Sequence, residues 1–346
     1  MLSKALRALC AAFACVFLAA SADAADRPLS LLVVDSQPTE PYRSVTAAML
    51  AFLAEHGYSE ATGLRIVRLS LGQHEGQAEN IWKHYDGRDF SVVYVSGTLA
   101  ARAFAAIMRR EPDSRLVFSA VTDPVGVGLI DGFGTPPTRN ITGVSILVPI
   151  KDRLRFARRM LPQARTFGCV YSDMPQSASY RRWVEEALAA DPEFKDIRVL
   201  FRRVEFVPGD QGTKRMVMLA TAQVEALAPE VDAFLAPVDP LGLVPEFDSM
   251  VTQTTNKPLI GIIEPDVRDK WGATMTISPS LTGIGRQAGR MVARLLAGEP
   301  VAHIPAEPSE EMGVLFDDSQ LARFGLAVPA DLRAQADKTH SLAGQR

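Results

Sequence analysis

Short runs of β-branched and apolar residues alternate with segments of helical period along almost the whole chain. The first half reads as strand 30–34, helix 41–56, strand 64–69, helix 76–85, strand 91–95, helix 98–110 and strand 115–119. A Gly- and Pro-rich stretch (132–137) and a strand at 140–145 follow, and the rhythm then restarts with a helix over 149–160. Strands 166–171, 197–203, 232–236 and 258–262 come next, with helices 176–190, 212–227, 243–255 and 280–297. Strands and helices in alternation predict parallel sheets covered by helices, an α/β fold. The last of these helices places Ile284, Ala288, Met291, Val292 and Leu295 on one face and stops at Gly298, as an amphipathic helix should.

One pattern occurs twice. LLVVDSQPTEPYRSVTAAMLAFL at 31–53 and TFGCVYSDMPQSASYRRWVEEAL at 166–188 each run from an apolar strand into a Ser/Asp loop, past a proline and into a helix with a Tyr-Arg pair. The repeat predicts two Rossmann-like lobes with parallel sheets. Loops of this kind lie at the carboxyl ends of parallel strands, where open α/β sheets bind ligands. At 346 residues the chain exceeds one ordinary core, which also favours two lobes.

The first 24 residues read as a secretory signal peptide: Lys4 and Arg7 precede an apolar run from Ala8 to Ala20 that ends in Ala22-Asp23-Ala24. That run is shorter than the roughly 20 residues a spanning helix needs. No lipoprotein pattern surrounds Cys10 or Cys15, so the expected location is the periplasm, free of an anchor. Cys169 is then the one thiol left, read as buried packing in a strand. Lys4, Arg7 and Asp23 leave with the signal, making the remainder one unit more acidic than the −3 of the full chain. No basic field for nucleic acid results.

Enzyme signatures are missing. His56, His74, His84, His303 and His340 are scattered, without metal-ligand spacing, and no G-x-S-x-G elbow occurs. Gly126, Gly128 and Gly132 miss the dinucleotide spacing by one, as do Gly283, Gly285 and Gly289. No catalytic residue, metal or cofactor is expected. The loops after strands carry the candidate chemistry instead. Ser96-Gly97-Thr98 opens a helix and either holds an anionic ligand group or forms an ordinary cap. Asp239, after strand 232–236, either pairs with a ligand amine or caps the next helix, and Glu264 is either a similar contact or a solvated loop charge.

FSAVTDPVGVGLI at 118–130 followed by NITGVS at 140–145 resembles the paired signatures of solute-binding proteins of ABC transporters in the tryptophan/tyrosine-binding-like family. LAPVDPLG, KPLIGI, GRQAGRMVARLLAGEPVAHIPAE and LARFGLAVP resemble further blocks of that family in the same order, so the likeness covers essentially the whole chain after the signal. It implies a type I periplasmic-binding fold: lobe 1 from 28–145 plus about 274–303, lobe 2 from 146–273 plus about 304–330, and a tail at 331–346. Crossing strands of the hinge are expected near 143–148, 273–278 and 304–314. The resemblance also implies a ligand between the lobes, held by Ser36, Gln37, Ser96, Gly97, Thr98, Thr122, Asp123 and Pro124 on one side and by Ser172, Asp173, Ser177, Asp239 and Glu264 on the other. Tyr42, Tyr171 or Phe118 could supply an apolar wall. Two departures bear on the ligand: Gln37-Pro38 stands where the family often has His-Pro, and Ser172-Asp173-Met174 replaces an Asn-Ser pair. The implied function is capture of an amino acid or other small carboxylate by hinge closure and delivery to an ABC permease by a monomer. The alternative is a periplasmic sensor that presents its closed form to a membrane receptor kinase. The same fold in a repressor core is disfavoured by the signal and by the lack of a DNA-binding headpiece.

Overall fold

The structure, a computed structural model, describes residues 28–343. The predicted signal peptide lies outside the described residues.

Two sheets organise the chain. The first contains β1 (Ser30–Asp35), β2 (Arg65–Ser70), β3 (Val92–Ser96), β4 (Leu116–Val121) and β5 (Ile141–Ser145), all parallel, in the order β2-β1-β3-β4-β5. The second contains β6 (Thr166–Ser172), β7 (Arg198–Val204), β8 (Ala233–Leu235), β9 (Leu259–Gly261), β10 (Met275–Pro279) and β11 (Met312–Phe316), in the order β11-β10-β9-β8-β6-β7. Read from its β7 edge, the second sheet repeats the strand order of the first and then adds β11 antiparallel. The two sequence copies thus occupy equivalent places: β1 and β6 are each second from an edge and each sit at the point where strand order reverses.

The residue pattern explains the layering. β1, β3 and β4 are buried on both faces and read as continuous apolar runs, while the edge strands β2 and β7 carry arginines and are partly exposed. Both faces of each sheet are therefore covered, as parallel sheets require. The covering helices are α1 (Tyr42–Glu55), α2 (Gln77–His84), α3 (Thr98–Met108), α4 (Ile150–Met160), α5 (Pro175–Ala190), α6 (Gly209–Leu227), α7 (Pro245–Thr255), α8 (Glu264–Arg268), α9 (Leu281–Leu296), α10 (Asp318–Phe324) and α11 (Ala330–Ala343). Pro175 opens α5 where its missing N–H costs nothing, and the Ser280 hydroxyl caps α9 by accepting from Gly283 N–H at 3.0 Å.

The chain passes between the lobes three times. After β5 it enters α4; after β10 it returns as α9, which packs on α1; and residues 305–307 run beside β5 before β11 rejoins the second sheet. At that last crossing Glu307 N–H donates to Gly143 O at 2.9 Å and Ser145 N–H to Glu307 O at 3.1 Å. α11 is docked by Leu332 and Ala336 in the second lobe's apolar cluster. One apolar cluster runs continuously from Leu31, Val33 and Met49 of the first lobe to Phe247, Val251 and Ile263 of the second.

α9 lies close on α1 because glycines face it. A Cβ on Gly285 would sit 2.4 Å from Val45 O and 2.6 Å from Ala48 Cβ. Backbone cannot yield as a side chain does, so Gly285→Ala is expected to cost about 1–3 kcal/mol, read as a lower denaturant midpoint at unchanged slope.

Candidate functional site

The carboxyl ends of both sheets face one cleft, and the loops that matter flank the reversal points of strand order. In the first lobe these follow β1 and β3; in the second they follow β6 and β8. A cavity lies between them. Its first-lobe wall is Pro41, Tyr42, Thr98, Ala120 and Thr122, and its second-lobe wall includes Arg153, Gln176, Tyr180, Asp239, Leu243, Ile262 and Ile263. Ile146, Leu147, Val148 and Ile277 close it on the crossing side. The cavity is small, about 40 Å³. So tight a space suits a small solute. Most of the wall is apolar, with a few polar groups converging, the usual composition of a ligand site.

Asp239 is the acid of this cavity, only 1 % exposed. Its carboxylate accepts from Ser172 N–H at 3.0 Å, the Ser177 hydroxyl at 2.8 Å and Leu241 N–H at 2.8 Å. Because β6 and β8 are adjacent, the end of one strand delivers Ser172 to the acid at the end of the other. Burial pushes the Asp239 carboxyl up to about 6 despite these donors. The same burial, with the Asp35 and Asp239 carboxyls nearby, pushes the Tyr42 phenol upward too. On the same second-lobe wall as Asp239, Arg153 is 2 % exposed. Its Nη1 donates to Tyr180 Oη at 2.9 Å and its Nη2 to Ala236 O at 2.8 Å, with longer contacts to Ile260 O and Gly261 O.

Of the residues expected at the ligand, Thr98, Thr122 and Asp239 line the cavity. Several others stand directly behind it. Ser36 Oγ accepts from Ala100 N–H at 3.1 Å and so occupies a free donor of the α3 start. Gly97 adopts φ +94 and brings its backbone so close to Ser36 and Tyr42 that a Cβ would lie 2.4 Å from Ser36 Oγ. Ser96 accepts from Ser119, whose hydroxyl also meets Tyr94 Oη at 2.6 Å. Ser172 and Ser177 hold Asp239. Asp123 fastens a turn through Gly126 N–H at 2.7 Å, and Pro124 O accepts from Leu129 N–H at 2.8 Å. Gln37 lies at the cleft mouth, hydrogen-bonded to Gln73, whose Oε1 accepts from Gly209 N–H at 3.1 Å across the two lobes. Asp173 is exposed and paired with Arg203 at 3.2 Å, and Glu264 pairs with Arg268 at 3.5 Å. Of the suggested apolar wall, Tyr42 is in place. Phe118 sits in the first lobe's core and Tyr171 packs edge-on to Phe201. Arg153, Gln176 and Tyr180 were missed by sequence reasoning. Tyr180 stands out in the sequence only through the repeated Tyr-Arg pair; Arg153 stands in a helix with several other basic residues, which carries no signal of its burial.

Beneath the second-lobe wall Asp248 and Asp266 are both fully buried. Asp266 Oδ2 accepts from Ile262 and Ile263 N–H at 2.6 and 3.1 Å, and its Oδ1 and both oxygens of Asp248 meet no partner among the described residues. Burial pushes Asp266 up to about 7, and burial together with the Asp266 charge pushes Asp248 well up. Asp35, which accepts from the Thr46 hydroxyl at 2.7 Å, is pushed up to about 7 by burial. A raised carboxyl binds its proton more tightly in the folded state, so its stabilising contribution is full below the unfolded value near 4 and is lost as pH rises through 6–7. The ligand-free melting temperature is therefore expected to fall by several degrees from about pH 5 to about pH 8, and Asp248→Asn to flatten that decline, as differential scanning calorimetry over this range would record.

The family model for ABC transporter substrate binding proteins matches residues 44–340. The chain belongs to that family. A tyrosine-binding protein of Clostridioides difficile is 20% identical to it over 272 residues, 78% of this chain and 73% of that protein. Among solved structures, a domain from Streptococcus pneumonia in complex with L-Trp superimposes with a TM-score of 0.75 at 19% identity, covering 89% of this chain and 98% of that one. A ligand-free, open substrate binding protein from Clostridium difficile gives 0.66 at 17% identity, covering 87% and 96%. An ABC transporter solute binding protein from Bacillus halodurans with bound myo-inositol gives 0.59 at 13% identity, covering 86% and 98%. These likenesses establish the fold of the substrate-binding protein as that of periplasmic binding proteins, and family membership makes it a component of an ABC transport system. Among its described residues no helix is long and apolar enough to cross a membrane, and no group of three or more His, Cys, Asp or Glu could hold a metal ion.

Proposed function

We propose that this substrate-binding protein captures an amino acid or another small carboxylate between its lobes in the periplasm, closes on it, and delivers it to an ABC permease. The observation that carries the reading is the tight interlobe cavity, apolar on most sides, with one buried acid and one buried cation among its walls. Apolar walls accept a side chain, Asp239 suits an ammonium group, and charges of both signs suit a zwitterion better than a neutral polyol. Closure follows from differential affinity: a solute that touches Thr98 or Thr122 on one side and Asp239 on the other stabilises the closed form over the open one. The Gln73 contact to Gly209 then adds a solute-independent clasp at the cleft mouth.

A thermal-shift screen of the protein against amino acids, aromatic and aliphatic carboxylates, nucleosides and polyols tests the reading. A solute at about 100 times its dissociation constant raises folding stability by roughly 2.7 kcal/mol, well within reach of the method. The expected outcome is a shift confined to carboxylate-bearing compounds. A shift with polyols or nucleosides alone refutes the cargo assignment.

A further inference from the structure

Two residues of the cavity's second-lobe wall each carry a buried polar atom with no hydrogen-bond partner among the described residues. Arg153 Nε has no hydrogen-bond partner among the described residues, and neither has Gln176 Oε1. Both residues line the cavity, at 2 % and 4 % exposed. They come from neighbouring helices: Arg153 from the first turn of α4, Gln176 from the first turn of α5, with Tyr180 one turn further along α5 receiving a hydrogen bond from Arg153. Buried polar groups are nearly always hydrogen-bonded, and an unmet donor on a cation is among the more costly exceptions. Two such exceptions on the wall of one cavity, a donor and an acceptor, describe what is to be bound there. The hydrogen bonds that Arg153 does make go to a phenol and to main-chain carbonyls, none to a carboxylate.

Resting on the solute-binding reading above, we propose that Arg153 and Gln176 are the polar anchor of the cavity: Arg153 Nε donates to the carboxylate of the solute, and Gln176 Oε1 accepts from an N–H or O–H on the same molecule. This puts the anion site on the second lobe. The start of α3, where sequence alone suggested an anion, has one of its free donors occupied by Ser36. The carboxylate and the Asp239 acid then share one wall, so a solute with an anionic and a donor group spans from Arg153 to Asp239 while its apolar part faces the hinge and Ile262–Ile263 side.

The test uses matched probes on the full-length mature protein by titration calorimetry: L-tyrosine against tyramine, L-leucine against isoamylamine, and butyrate against butanol, with myo-inositol as a neutral control. Arg153→Lys and Gln176→Leu are measured beside the wild type, each checked for its unliganded melting temperature. Removing the carboxylate from the probe is expected to weaken binding to the wild type by about tenfold or more. Arg153→Lys is expected to shrink that difference, since a lysine cannot reproduce the Nε–H geometry. Gln176→Leu is expected to weaken the acids that carry an amine more than butyrate. Equal binding of acids and their neutral or decarboxylated partners overturns the anchor while leaving solute binding intact, because that comparison needs no variant to fold. Tight binding of myo-inositol with no acid binding overturns both the anchor and the carboxylate cargo, and so does no binding of any probe.

Discussion

Replacing Asp239 with alanine is expected to cost about 2–4 kcal/mol of folding stability and to weaken solute binding by about tenfold or more. The two effects have separate origins. The stability loss follows from three donors, Ser172 N–H, Ser177 Oγ–H and Leu241 N–H, left without their buried acceptor. The binding loss follows from the carboxylate itself, which lines the cavity and would pair with a positive group on the solute. A further consequence separates them. With the empty carboxyl pushed up to about 6, an ammonium-bearing solute must draw it into its ionised form, so affinity rises with pH through that value and protons are released on binding. Calorimetry in buffers of different ionisation enthalpy at about pH 6 reads this directly. A variant that is destabilised yet binds the solute unchanged, with no proton release in the wild type, reduces Asp239 to the cap of the turn at Pro240–Leu243.

The second large effect lies at the crossing. Gly143 sits opposite Phe118 in the β4–β5 pair with φ +157, and a Cβ there would lie 2.1 Å from Phe118 O and 2.5 Å from Phe118 Cγ. Its own carbonyl accepts from Glu307, where the last interlobe segment runs past. Gly143→Val therefore forces β5 away from β4 at the root of the hinge. The expected cost is roughly 3–5 kcal/mol, combining overpacking with backbone strain, a large part of the 5–15 kcal/mol of a typical fold. Gly128→Ala is the control: its φ is +72 but nothing lies within 4 Å of the added Cβ, so only about 1 kcal/mol should be lost. Equal denaturant midpoints for the two variants would contradict this account of the crossing.

The elements that could be read from sequence are those whose pattern is set by burial on both faces. β1, β3, β4 and β6 are continuous apolar runs because helices cover both sides, and the repeat of strand, loop and helix at 31–53 and 166–188 marks the two strands that hold equivalent positions in their sheets. β10 and β11 were visible only as crossing segments, since five-residue strands such as MTISP carry too little periodicity to declare a sheet partner. α11, in a stretch read as a tail, is too polar to announce that Leu332 and Ala336 dock it. At the site, Asp239 was legible as an acid in the loop after an apolar strand, and Thr122 through the family signature at 118–130. Arg153 was not. In IKDRLRFARRM it is one of four arginines spaced like a solvated helix face, and only the arrival of β8 and β9 over that helix turns one of them inward.

Titrating wild type and Leu243→Trp with whichever carboxylate raises the melting temperature shows whether the solute is held between the lobes. Leu243 lines both the cavity and the cleft mouth, so an indole there takes up the solute's space without removing Asp239, Arg153 or Gln176. One-to-one binding to the wild type and none to a folded Leu243→Trp is expected; equal affinities for the two proteins would place the solute outside the cleft.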